Sequence, residues 1–215
     1  MPELLIARPE TARGLPAILF AHGASQPMTS PFFDTMTAQL TSRNMTVIRF
    51  EFSYMAARRS GGKRRPPPAV ESLFPEFRAA VAEARAAVGG RALLIGGKSM
   101  GGRIGSLLAD ELLDETAILG LVCLGYPFHP PKQPEQLRTA HLAGLRTPTL
   151  IAQGERDPFG TRADVALYEL SPSIRLHWVD DGDHDFGPRG RSGFTRTGNI
   201  AAAAEAIVAF AREFR

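Results

Sequence analysis

At 94–102 the chain reads Leu-Ile-Gly-Gly-Lys-Ser-Met-Gly-Gly, which sets Ser99 midway between Gly97 and Gly101. A G-x-S-x-G pattern lifts a serine hydroxyl on a sharp turn between a strand and a helix, where it is free to attack a carbonyl carbon. The same residues contain Gly-Lys-Ser, the end of a phosphate-binding loop. That loop follows G-x-x-x-x-G-K-[ST], its first glycine freeing backbone amides to wrap a phosphate. Here Ala92 stands where that glycine must be. The apolar run also continues to Ile95 or Gly96, leaving no length for the loop. The stretch therefore points to nucleophilic chemistry and away from nucleotide binding.

A serine hydroxyl is a weak nucleophile at neutral pH and needs a base that a carboxylate orients. The chain has 5 histidines. His177 lies inside an apolar run and reads as packing, while His129 and His141 read as surface residues. His22 closes an earlier run, in "HGA". His184, in "DGDHDF" between the last apolar run and the final helix, is the expected base. Asp157 in "GERDPF" is the expected carboxylate, which gives the order Ser…Asp…His. Asp183 and Asp185 adjoin His184 too closely to reach its ring, Asp180 and Asp181 are remote alternatives, and Glu155 reads as a structural charge. An oxyanion needs two converging N–H donors. Met100, after the serine, and Ala24, in "HGAS", are the expected pair. Ser25, Arg58, Arg59 and Tyr126 follow strand-like runs and are candidates for touching substrate.

Such residues must converge from distant parts of the chain, and the hydrophobic pattern says how. The runs 17–22, 46–52, 92–97, 119–125, 148–154 and 174–180 are short and nearly continuous in hydrophobicity. Strands of a parallel sheet buried on both faces look like this. Helical patterns at 32–43, 74–88, 102–115, 161–170 and 199–214 alternate with them, with Pro75 in a first turn and Asn199 placed as an N-cap. Residues 4–8 supply one more short strand. The fold expected is α/β: six or seven mostly parallel strands, helices on both faces, right-handed crossovers. In such sheets ligands bind beyond the C-terminal strand ends, where "HGAS", "KSMGG", "ERDPFG" and "DGDHDF" all fall.

With 215 residues, 44% of them apolar, one core and a single domain over 1–215 are expected. One cysteine, Cys123, excludes a disulfide framework and a thiolate-cluster metal site; it reads as a small core residue. No metal or other cofactor is expected. No secretory leader or membrane-spanning run is visible, so a cytoplasmic protein without a membrane partner is expected. The charge is +3, and its excess is local: "ARRSGGKRR" at 57–65 carries Arg58, Arg59, Lys63, Arg64 and Arg65 without an anion. No aromatics interleave with that run, so nucleic acid is not an expected partner. Folded over the strand ends, with Arg103 beside it, the run would favour anionic acyl substrates.

Taken in order, "AHGAS", "GGKSMGG", "GERDPF" and "DGDHDF" resemble the α/β-hydrolase superfamily over nearly the whole chain. "RFEFSYM…RR" followed by "GGKSMGGR" is similar to a small branch related to testis-expressed proteins and to a subunit of a chromatin acetyltransferase complex. The chain is also similar to compact dienelactone-hydrolase-like enzymes, which commonly carry cysteine where this chain has Ser99. The resemblance implies a serine esterase mechanism on Ser99, Asp157 and His184. The usual opening hairpin and long cap insertion are missing; only 126–145 stands in the cap's place, which implies an open site. The leading expectation is a hydrolase of small carboxylic esters or thioesters acting through an acyl-enzyme. A scaffold on a retired hydrolase fold, and an acyltransferase using the same three residues, are the alternatives.

Overall fold

Seven short runs rich in aliphatic and aromatic residues form one sheet in a computed structural model that describes residues 2–10, 14–59, 61–62 and 66–214. In chain order the strands are β1 (Leu4–Ala7), β2 (Ala17–Ala21), β3 (Val47–Phe50), β4 (Leu93–Lys98), β5 (Gly120–Leu124), β6 (Thr149–Gly154) and β7 (Ile174–Val179). Their order across the sheet is β1-β3-β2-β4-β5-β6-β7, with β1 antiparallel to β3 and the rest parallel. Every residue of β2 to β6 is buried, which is why these runs lack a polar alternation. The short edge strand β1 is only partly buried, with Leu5 exposed.

Helices cover both faces. On one side α3 (Phe74–Ala87) buries Phe77, Ala80, Val81 and Ala84, and α4 (Met100–Asp114) buries Ile104, Leu108, Ala109 and Leu112. These stripes at helical spacing join Leu19, Ile95, Leu121 and Ile151 in one core. On the other side α1 (Pro31–Thr41) and α6 (Arg196–Ala211) pack Phe33, Met36, Leu40, Ile200 and Ile207 against Ile18, Leu94 and Val122. Each fully buried Leu, Ile or Phe side chain contributes on the order of 1.5–3 kcal/mol. The segment after β5 forms no separate cap, because Tyr126, Phe128, Leu142 and Leu145 all sink into the first core.

Register sets the strand ends level. Ala21 pairs with both Phe50 and Gly97, Lys98 with Leu124, and Gly154 with Val179. The segments carrying His22, Ser99, Tyr126, Asp157 and His184 thus leave the sheet along one edge.

Several elements depart from the sequence reading. Asn199 is no N-cap: Thr195 caps α6, its Oγ1 accepting the Gly198 N–H at 3.0 Å, and Asn199 is buried in the first turn. The expected helix over 161–170 is one turn, α5 (Arg162–Val165), closed by a Thr161–Asp164 capping box. The chain then turns so that Tyr168 packs on Phe128 at 5.7 Å. His129 is buried rather than superficial, its Nδ1 2.9 Å from the Pro130 carbonyl. The basic run at 57–65 begins inside a helix, α2 (Ser53–Arg59). Lys63, Arg64 and Arg65 of the basic run lie outside the described residues.

Candidate active site

Ser99 stands between the last residue of β4 and the first of α4 with φ 52° and ψ −114°. That backbone region is costly for a side-chain-bearing residue and is held only where the surroundings impose it. Here the Ser99 N–H donates to the Leu124 carbonyl at 3.0 Å, and the Arg103 N–H returns to the Ser99 carbonyl at 3.0 Å. The flanks must be glycine because the turn is tight. A Cβ on Gly97 would sit 2.4 Å from the Gly101 carbonyl carbon, and one on Gly101 would sit 2.5 Å from the Ala21 oxygen. Gly97 and Gly101 are therefore what lets α4 start directly over β2.

Asp157 is fully buried beyond β6, and the His184 ring reaches it from the loop after β7 with Nδ1 2.8 Å from Oδ2. A carboxylate only accepts, so Nδ1 is the donor, and in the neutral ring the proton sits there and Nε2 keeps its lone pair. The other carboxylate oxygen accepts the Phe159 N–H at 2.9 Å, and Oδ2 also accepts Gln153 Nε2 at 3.0 Å. The Phe159 ring lies against the imidazole, centroids 4.3 Å apart. The Asp157 contact is the one hydrogen bond of the His184 ring among the described residues. An imidazole with a fixed tautomer and a free Nε2 is equipped to take a proton from a hydroxyl.

The turn after β2 is fixed by His22. Its Nδ1 lies 2.6 Å from the Gly23 carbonyl and its Nε2 accepts the Phe52 N–H at 3.1 Å, so the ring is neutral with the proton on Nδ1. Burial is the main reason its pKa falls to about 4, with Arg58 adding to the shift. The Gly23 carbonyl and the Ala24 N–H belong to one planar trans peptide, so holding the oxygen toward His22 turns that N–H the opposite way. Among the described residues, neither the Ala24 nor the Met100 N–H donates to a protein acceptor.

Gly23, Ala24, Ser25, Ser99, Met100 and His184 line one cavity of about 520 Å³, within the range of small-molecule sites. The expected nucleophile, base and N–H donors thus meet, with Asp157 behind His184. Three other expected residues do not join them. Arg59 points to the far end of α2, its guanidinium paired with Glu3 and with Glu51 at 3.1 Å, and it lines a different cavity. Tyr126 is fully buried, its hydroxyl donating to the Arg138 carbonyl at 3.1 Å, because the segment after β5 folds inward. The Arg58 guanidinium lies 5.7 Å from the Tyr54 ring centroid rather than on the cavity wall.

Other residues complete the wall without having been singled out. Lys98 is buried beside Ser99, and burial pulls its ammonium below the usual lysine range against the opposing pull of Asp185, 3.3 Å away. Gln153 is fully buried and ties together the Tyr126 backbone, Asp157 and the Gly160 carbonyl. A glutamine inside an apolar strand is a visible signal, since a buried amide must find partners. Arg138, Phe159 and Pro127 carried no signal in their local sequence.

Comparison with known proteins agrees with this architecture. The family model described as an alpha/beta hydrolase domain matches residues 15–212. The chain belongs to the alpha/beta hydrolase family. Solved structures share the fold at low identity. A dienelactone hydrolase from Anabaena variabilis superposes with a TM-score of 0.72 at 20% identity, covering 97% of this chain and 90% of that one. An alpha-beta serine hydrolase homologue from Coxiella burnetii gives 0.71 at 16% identity, covering 97% and 90%. A serine hydrolase without lid from Xanthomonas campestris gives 0.66 at 16% identity, covering 96% and 89%. Among the described residues of this alpha/beta hydrolase, likewise, no long insertion covers the strand ends. Among the described residues no helix is long and apolar enough to cross a membrane.

Proposed function

We propose that this alpha/beta hydrolase cleaves small carboxylic esters or thioesters through an acyl-enzyme on Ser99. One observation carries the reading: a half-buried imidazole, held at 2.8 Å by a fully buried carboxylate, opens onto the cavity that Ser99 lines. As Ser99 Oγ attacks the carbonyl carbon, its proton passes to His184 Nε2, and the Asp157 carboxylate holds the resulting imidazolium. The oxyanion takes hydrogen bonds from the Met100 and Ala24 N–H groups. Collapse of the tetrahedral species expels the alcohol or thiol, which leaves with the proton from His184. A water molecule then gives its proton to the same Nε2, attacks the acyl carbon and releases the acid.

The strained backbone at Ser99 supports the reading, since such strain survives where the surroundings over-determine it. The open cavity favours short acyl chains. Stopped-flow mixing with p-nitrophenyl acetate tests the proposal: a burst of nitrophenolate stoichiometric with enzyme is expected, lost in Ser99→Ala. Turnover unaffected by Ser99→Ala would refute it. Hydroxylamine added as acceptor partitions the acyl group and separates hydrolysis from transfer.

A further inference from the structure

Arg103 and Arg138 both line the Ser99 cavity, and among the described residues neither forms an ion pair with a carboxylate. Arg103 lies one turn into α4, and helical side chains lean back toward the N-terminus, which brings its head toward the strand ends. Arg138 comes from the segment between β5 and β6, and both line the cavity with Ser99 and His184. The Arg103 Nε is buried without a hydrogen-bond partner. Arg103 acts electrostatically on Arg138, Tyr126 and His141, none of them anionic at neutral pH. Burial, then repulsion from Arg103, lowers the pKa of Arg138 from its ordinary value. Asp185 shares the wall, but it is engaged by Lys98 at 3.3 Å and by Gln26 Nε2 at 3.2 Å.

Elsewhere on this chain arginines meet carboxylates, as Arg146 meets Asp110 and Asp114, Arg175 meets Glu213 and Arg189 meets Asp181. Half-buried like charges oppose folding and are kept where a ligand supplies the missing anion. Guanidinium forks match a carboxylate in shape and charge. We propose that Arg103 and Arg138 form a subsite for a carboxylate carried by the ester or thioester substrate. This rests on the hydrolase reading above. It also moves the cationic site expected from the 57–65 run onto α4 and the segment after β5. Pro67, Pro68 and Val70, just beyond that run, line the same cavity.

The test compares pairs of esters that differ only in charge: aryl hemiglutarate with its methyl-capped form, and the acetate of 4-hydroxybenzoate with that of its methyl ester. The first pair puts the carboxylate on the acyl side and the second on the leaving group. In at least one pair the free carboxylate should be preferred by about tenfold or more in kcat/KM, mostly through KM. Arg138→Gln should reduce the preference, and Arg103→Gln with Arg138→Gln should abolish it. As a second readout, glutarate should slow labelling of Ser99 by a neutral fluorophosphonate, and this protection should vanish in Arg138→Gln. A preference or protection removed by the arginine variants supports the subsite. Equal turnover within both pairs with no protection, on an enzyme that still labels at Ser99, overturns the subsite and leaves the hydrolase reading standing. Failure to label at all takes both down.

Discussion

Asn199 offers the sharpest prediction about how the site is held. It is buried in the first turn of α6, and its Nδ2 donates to the Asp180 carbonyl at 3.0 Å and the Phe186 carbonyl at 2.9 Å. Those two carbonyls bracket the loop that carries His184. Asn199→Ala removes two hydrogen bonds, each with a net value of about 1 kcal/mol, and leaves the buried Phe186 carbonyl without a donor at a further cost of about 1–3 kcal/mol. The expected loss is therefore about 3–5 kcal/mol. At about 2–4 °C per kcal/mol for a chain of this size, Tm should fall by roughly 6–20 °C. A looser loop lets the imidazole drift, so kcat should fall on the order of tenfold with little change in KM. Asn199→Asp discriminates between causes. It nearly preserves shape but sets an acceptor against two carbonyls, so at pH 8 it should be at least as damaging as Asn199→Ala. Calorimetry and ester hydrolysis report both effects. An Asn199→Asp protein with wild-type Tm and kcat at pH 8 would show that packing, not donation to the loop, is what Asn199 supplies.

Gln153→Leu strips a donor from Asp157 and orphans the Tyr126 N–H and the Gly160 carbonyl. It should cost about 2–3 kcal/mol in urea unfolding and lower kcat on the order of tenfold; an unchanged kcat would remove Gln153 from the positioning scheme. Gly101→Ala drives a Cβ to 2.5 Å from the Ala21 oxygen and 2.7 Å from the His22 oxygen. The displaced turn should lower kcat/KM by about 100-fold or more, and wild-type kinetics would contradict the close approach. His22 is neutral in the fold with its pKa lowered to about 4, so the unfolded chain takes up the proton first. Its contribution is complete above about 6.5 and is lost as pH falls from there to about 4, at about 1.4 kcal/mol per unit or roughly 3 kcal/mol in all. Urea unfolding at pH 7, 5.5 and 4 should show this fall, and His22→Asn a shallower one; identical slopes would refute the neutral, donor-bound ring.

The parallel sheet was legible because strands buried on both faces leave uninterrupted apolar runs, as 17–21 and 93–97 do. Ser99 and its glycines were legible because the strained turn tolerates so few residue types. The contact of His184 with Asp157, at 2.8 Å, was legible as a histidine and a carboxylate expected to pair at other strand ends. What escaped was whatever depends on side chains meeting across the fold. Asn199 has the local pattern of a helix cap, yet its amide is spent on a loop that precedes it in the chain. Tyr126 stands at a strand end like the site residues, but burial of the following segment turns it inward. Arg59 belongs to a run without an anion, and its partners Glu3 and Glu51 come from other segments. Arg138 sits in a polar stretch with no motif, and only the packing of Tyr126 and His141 beneath it brings it near Arg103.

Every chemical step proposed for this site requires that His184 activate Ser99. Reaction with a neutral fluorophosphonate, followed by peptide mass mapping, reads this directly. One adduct per chain on Ser99 is expected, absent in Ser99→Ala and formed far more slowly in His184→Ala. No adduct, an adduct on another residue, or equal labelling rates with and without the imidazole would contradict it.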